Sequence, residues 1–429
     1  MTTSAPVYCG ATIHERMLEN GLRVLIAERH LDPVVAAMVW YRVGGRHERE
    51  DEAGVSHFLE HMMFKGTEAY GKGIVDLETT VLGGSNNAFT TPDHTAYWFE
   101  FASDRWERAL DLEADRMRGL LFDPDEFAAE KQVVLEELSM GLDDPWRSLS
   151  RRASEVLFGR HPYARPVIGY RDTLEPMTVD DMRSFYRRYY RPGNATIVIV
   201  GAVDSDAAVA AIEERFGDIE DVAPEGTERP VPAPEFDGEV RIRTSWDDGA
   251  SRLIMAWPGA TFGSDDDFTL DVVVAHLTSG KLSRLYRHIV VEGGLATSVS
   301  ANNDARAEAG GFWLYAEAVQ GVEPETLEAA LDAEIRRISE TPLTEAQLSR
   351  AKKLLAASEA FDSETVTDVA ETIGEYAVDL SDWREVLRSN DRRSAVTAEQ
   401  VQETCRRLLR PDRRVVAWSL PRVATENDA

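Results

Sequence analysis

His57 and His61 stand four residues apart, with Glu60 between them, in the run Gly54-Val55-Ser56-His57-Phe58-Leu59-Glu60-His61-Met62-Met63-Phe64. On a helix the two imidazoles share one face, one turn apart. That spacing lets two nitrogens reach one tetrahedral zinc at about 2.0–2.1 Å each. Glu60 falls on the same side, where its carboxylate can take a proton from a water activated at the metal. Phe58, Leu59, Met62 and Phe64 supply apolar packing, which weighs against a solvated surface helix. A catalytic zinc takes three protein ligands and leaves one position open. The run from Glu130 to Leu138 is the candidate source of the third. Glu130 and Glu137 are two helical turns apart and share a face, with Val133 and Val134 close to it. Taken alone, such a glutamate pair is more often a solvated face than a ligand set.

These residues need elements to hold them. Strand patterns fall at 22–27 and 34–43, helical patterns at 54–64 and 75–82, strands at 86–90 and 95–101, helices at 104–118 and 124–140, and a strand at 196–200. The same order returns as strands at 239–244 and 252–257, helical stretches at 268–277 and 281–291, and strands at 296–301 and 312–318. Helices at 324–339 and 344–361 follow, with a last strand at 414–418. Such repetition indicates an internal duplication. Strands and helices in blocks predict an α+β fold of two duplicated domains, each a mainly antiparallel sheet covered by helices on one face. Pro224, Pro230, Pro232 and Pro234 mark 218–238 as a Pro-rich linker, semi-rigid by composition. The expected division is a catalytic zinc-binding domain at 1–217, the linker, and a duplicated domain without metal at 239–429.

Composition narrows the class. The chain has 429 residues, 43% hydrophobic and 29% charged, which is far from a disordered composition. With 76 acidic against 47 basic residues and a net charge of −29, binding to a phosphate backbone is disfavoured and nucleic acid is not expected as a partner. The plain meaning of so acidic a surface is solubility; a cationic peptide partner is compatible with it. No apolar run approaches the roughly 20 residues of a membrane span. Neither a signal peptide nor a presequence pattern opens the chain. The two cysteines, Cys9 and Cys405, make no disulfide framework, so a reducing, cytoplasmic setting is expected.

The motif from His57 to His61, with Met63-Phe64-Lys65-Gly66-Thr67 after it, resembles the pitrilysin family of zinc peptidases. More narrowly, it resembles the branch containing mitochondrial processing peptidase and its bacterial two-domain relatives. The likeness continues through Gly83-Gly84-Ser85-Asn86-Asn87-Ala88-Phe89-Thr90, Ala114-Asp115-Arg116-Met117, the Glu130–Glu137 run and His161-Pro162-Tyr163. The resemblance implies a zinc metalloendopeptidase with one Zn2+ per chain, bound by His57, His61 and Glu137. It implies that Glu60 is the catalytic carboxylate that activates the attacking water. Glu130 matches a second acidic position that supports catalysis by orienting a ligand or the water. Asn87 and Ala88 match a strand that pairs with extended peptide substrate; an ordinary strand after a Gly-Gly turn is an equal reading of those two residues.

The sequence departs from the family pattern in its second half. Standalone members carry an Arg and a Tyr in a stretch like arginine-glutamate-lysine-x-glycine-leucine-alanine-tyrosine. Here Val290 stands at the Arg position and Thr297 at the Tyr position. In paired members one subunit carries the zinc motif and the other the Arg/Tyr pair. The resemblance therefore implies a heterodimer in which this chain is the zinc subunit, closing a chamber around unfolded or short peptides. The competing expectation is a non-catalytic structural or peptide-binding subunit of a larger assembly.

Overall fold

The computed structural model describes residues 6–222 and 234–422. The first sheet comprises β1 (Val7–Tyr8), β2 (Ala11–Met17), β3 (Arg23–Glu28), β4 (Val34–Tyr41), β5 (Ser85–Thr90), β6 (Thr95–Ala102) and β7 (Ala195–Gly201). Its order is β1-β2-β3-β7-β4-β6-β5, antiparallel throughout except for the β3–β7 pair. The second comprises β8 (Gly238–Trp246), β9 (Arg252–Pro258), β10 (Ala296–Ala305), β11 (Gly310–Ala318) and β12 (Arg413–Pro421). Its order is β10-β11-β9-β12-β8, with only β12–β8 parallel. The expected α+β architecture of two mainly antiparallel sheets is borne out.

Two compact units contain these sheets, and neither follows chain order. The first is drawn from Met1–Ser139, Arg165–Pro230 and Ala360–Leu387, the second from Met140–Ala164, Val231–Glu359 and Arg388–Ala429, taken over the described residues. The division expected at 218–238 differs from these units by an exchange of helices, and residues 223–233 of that linker lie outside the described residues.

Burial along β4 explains the exchange in the first unit. The strand reads Val-Val-Ala-Ala-Met-Val-Trp-Tyr and is buried on both faces after its first residue. Val35, Ala37, Val39 and Tyr41 enter the main core, where they meet the buried sides of the helices that follow them in sequence. The opposite face, with Met38 and Trp40, is covered by the helix Val366–Asp379 from the second half of the sequence. A Cβ at Gly374 would come within 2.1 Å of the Trp40 indole, so this helix can lie flat on the sheet only with glycine there. His94 Nδ1 and Asp379 Oδ1, 2.9 Å apart and both buried, pin the same helix. In the second unit Leu253, Met255 and Trp257 of β9 face one core. Ile254 and Ala256 face Leu149, Ala153, Leu157 and Phe158 of the helix Pro145–Phe158, which comes from the first half of the sequence. Helices thus cover one face of each sheet as the sequence order suggests, and one exchanged helix covers the other. Among the described residues no helix is long and apolar enough to cross a membrane.

Candidate metal centre

The helix carrying the histidines runs Val55–Met62 and begins at a residue that only glycine suits. Gly54 has φ +98°, and a Cβ there would lie 2.7 Å from the Ile168 carbonyl oxygen. The first turn is capped from outside the helix. Glu48 accepts hydrogen bonds from the Gly54 and Ser56 amides at 2.9 and 2.8 Å, a carboxylate at a helix N-terminus where dipole and free N–H groups favour it. Burial raises the Glu48 carboxyl to about 7, against the pull of the Ser56 and Gly54 amides. Val55, Phe58, Leu59 and Met62 face the core, which leaves His57, Glu60 and His61 on the partly open side.

The ligating atoms of His57, His61 and Glu137 all lie within 4.8 Å of one another. Glu137 Oε2 is 3.8 Å from His57 Nε2 and 3.6 Å from His61 Nε2. In a tetrahedral zinc site with bonds near 2.05 Å, ligand atoms sit about 3.3 Å apart. Glu137 would therefore close on each histidine by a few tenths of an ångström to share an ion with it. Burial, followed by the neighbouring His61, pulls the His57 imidazole down to about 4, which keeps its ring neutral and a lone pair available. His57 Nδ1 is buried without a hydrogen-bond partner. The donor set of two imidazoles and one carboxylate, with a gap between them, suits zinc.

Helix Pro124–Leu142 supplies both glutamates. Glu130 is buried, Glu137 is half-exposed, and Lys131 anchors the helix by donating to the Glu175 and Met177 carbonyls at 3.0 and 2.6 Å. Glu130 Oε1 lies 2.9 Å from His61 Nδ1, and its other oxygen lies 2.5 Å from Lys65 Nζ. Burial opposes charge on Glu130, but Lys65 and then His61 outweigh it and hold the carboxyl below its ordinary range. Glu130 therefore fixes the imidazole so that Nε2 points toward Glu137. Glu60 accepts a hydrogen bond from Thr90 Oγ1 at 2.5 Å. Burial raises its carboxyl, Thr90 and His61 lower it, and Glu137 raises it, with a net upward shift.

Asn87 and Ala88 lie on β5, which is an edge strand paired only with β6, at Trp98 and Tyr97 respectively. Thr90, on the same strand, ties this edge to Glu60. Val290 packs partly buried against the core of the second unit, in a π-helical turn from Tyr286 to Glu292. Thr297 is exposed and donates to Glu317 at 3.2 Å. Lys65 and Thr90 lie inside the 63–67 and 83–90 motif runs but carry no chemical signal of their own in sequence. Glu48 carried none at all, since one acid among 76 gives no spacing to read. The Ala114-Asp115-Arg116-Met117 run has a packing role: buried Arg116 pairs with Glu113, its guanidinium lying 5.2 and 5.0 Å from the rings of Phe64 and Tyr97.

Two mainly antiparallel sheets, each covered by helices, and a two-histidine, one-carboxylate cluster beside an acid define a two-sheet α+β protein with a candidate metal site, and comparison with known proteins supplies its family. Residues 23–170 match the family model "Insulinase (Peptidase family M16)", and residues 176–355 match "Peptidase M16 inactive domain". A protein of Mycobacterium leprae named an uncharacterized zinc protease is 30% identical over 397 residues, 91% of this chain and 88% of that one. A zinc protease of Helicobacter pylori is 29% identical over 371 residues, 85% and 83% of the two chains. The solved structure of a protease from Helicobacter pylori matches with a TM-score of 0.89 and 25% identity, over 96% of this chain and 100% of that chain. The fold is also shared with a chain of Complex III2 from Candida albicans, at a TM-score of 0.81 and 17% identity over 95% of each. The chain belongs to peptidase family M16, a family with zinc-protease members, as the resemblance implied.

Proposed function

We propose that the chain is a zinc metalloendopeptidase, the zinc-bearing subunit of a processing-peptidase-like pair, acting on unfolded or short peptides. The observation that carries this reading is the convergence of His57, His61 and Glu137 with Glu130 seated on His61 Nδ1. His57, His61 and Glu137 hold one Zn2+ per chain. When bound, zinc supplies a Lewis acid that activates water and polarises the scissile carbonyl. Glu60 accepts the proton of the attacking water and returns it to the departing amine. Burial raises its carboxyl, which favours proton uptake, and the Thr90 hydroxyl orients it. Glu130 holds the His61 ring against rotation. Substrate adds as a strand to the free edge of β5, where main-chain groups at Asn87 and Ala88 bind it without reading sequence.

Val290 and Thr297 leave the chain without the family's Arg/Tyr pair. The reading therefore includes a homologous partner that supplies both across a shared chamber, in a cytoplasmic setting, with domains divided at 218–238. Those same two residues favour a second reading, a non-catalytic subunit of a larger assembly; the intact donor set speaks for the first. The test is peptide cleavage by the zinc-loaded chain, alone and with an Arg/Tyr-bearing homologue. Cleavage that a chelator abolishes and zinc restores supports the peptidase. Full activity without a partner removes the heterodimer, and no metal-dependent cleavage in either mixture leaves the structural subunit.

A further inference from the structure

A second cluster of chemistry-bearing side chains lies in the second unit. His276, near the end of the helix Asp265–Thr278, is 2% exposed, and neither of its ring nitrogens has a hydrogen-bond partner. Burial, then Arg350 and Arg284, pulls its imidazole down to about 4. The neutral ring therefore keeps one buried N–H donor that nothing satisfies. Native interiors leave few such groups, and each calls for a water, an ion or a ligand.

His276 forms part of the wall of a pocket of about 310 Å³ that Arg284, Arg287, His288 and Arg350 also line. Arg284 is held at Nε by Glu334, while its Nη2 is buried and has no partner. Arg350 donates to the Leu282 carbonyl and makes no ion pair among the described residues. No carboxylate is among the described residues that line the pocket, and the nearest acids are paired with its lining residues: Glu334 with Arg284 and, at 3.5 Å, His288, and Glu292 with Arg287 at 2.7 Å. Three guanidiniums against two paired carboxylates leave a local positive excess in a chain whose net charge is −29. The donors come from separate elements: the His276 helix, the turn at Arg284, and the helix Glu345–Phe361 carrying Arg350. Donors converging from several directions suit a tetrahedral oxyanion better than a planar carboxylate, which one guanidinium can satisfy bidentately.

We propose that this pocket binds a small phosphate-type oxyanion, inorganic phosphate or the head of a phosphomonoester, with His276 and Arg284 as buried donors and Arg350 supplying uncompensated charge. The site is separate from the metal donors in sequence and chemistry, and it does not depend on the peptidase reading.

Calorimetric titration of the zinc-loaded full chain with inorganic phosphate tests it. One saturable site per chain is expected, with a dissociation constant near or below about 1 mM. Arg350→Gln and His276→Leu should each weaken it by about tenfold or more. Arg350 is partly exposed and its variant keeps the Arg284–Glu334 pair, so loss of binding there does not reflect loss of fold. His57→Ala should leave phosphate affinity unchanged, which separates this site from phosphate held at zinc. Absence of saturable heat up to about 10 mM overturns the proposal. So does unchanged affinity in both pocket variants, loss of binding in His57→Ala, or tighter binding of acetate or a free peptide C-terminus than of phosphate.

Discussion

Glu130→Gln removes a charge while keeping size, at a residue that joins His61 of the candidate metal site to the Lys65 cation. In the parent, Oε1 lies 2.9 Å from His61 Nδ1 and Oε2 lies 2.5 Å from Lys65 Nζ. A carboxylate serves both donors; a carboxamide cannot. If its oxygen stays on His61, its NH2 faces the Lys65 ammonium, donor against donor; if it turns to serve Lys65, the His61 ring loses its anchor. Outer partners of metal-bound histidines typically contribute 10–100-fold in metal affinity. The forced choice puts this variant in the upper part of that range, about 30–100-fold, or roughly 2–2.7 kcal/mol. Competition with a chromophoric chelator on the full chain measures it, with melting of the metal-free protein as a check on folding. A zinc affinity within about threefold of the parent would refute the reasoning. Glu130 would then be a partner of Lys65 alone, and the variant would lower metal-free stability without touching zinc.

Thr90→Val deletes the hydroxyl that holds the Glu60 carboxyl down, so Glu60 should titrate higher and the acid limb of the pH–rate profile should move upward; a downward move contradicts the assignment. Asp379→Asn breaks the buried pair that pins the exchanged helix on the first sheet, at a cost on the order of 3 kcal/mol near pH 6. Burial opposes charge on His94, but Asp379 outweighs it and the folded-state value is raised. The pair's contribution is therefore full below the unfolded value near 6.5 and fades as pH rises through the folded one, so the melting-temperature gap between parent and variant should narrow from pH 6 to pH 9. Gly54→Ala places a Cβ against the Ile168 carbonyl at φ +98° and should cost about 1–3 kcal/mol, together with weakened zinc binding, because the strain falls at the start of the motif helix.

How far the sequence could be read follows from which signals are local. The motif helix, the glutamate helix and ten of the twelve described strands were legible because each has its own periodicity: Val55–Met62 sits inside the expected 54–64, and Pro124–Leu142 matches 124–140 to within two residues; β1 (Val7–Tyr8) and β2 (Ala11–Met17) were not expected. The pairing of Glu130 with His61 needed tertiary structure, since two turns of spacing place two acids on one face without saying which one meets a histidine. The helices Pro145–Phe158 and Val366–Asp379 were not among the expected elements, and spacing alone would not have revealed their exchange: it tells a helix to bury one side, and several sheet faces qualify. A sign of it was present in β4, whose unbroken apolar run already required cover on both faces. Gly374 matters only because Trp40 lies beneath it, and Glu48 only because the chain brings it back to the start of the motif helix.

The most direct measurement compares the parent with Glu60→Gln for both zinc content and cleavage of an unfolded peptide, in the presence of an Arg/Tyr-bearing homologue. In the proposed mechanism Glu60 carries the proton, and it is not one of the three converging donors, so both proteins should hold one zinc per chain and only the parent should cleave. A parent that purifies without zinc and does not take it up, or a Glu60→Gln variant that cleaves as fast as the parent, would contradict the assignment of these residues.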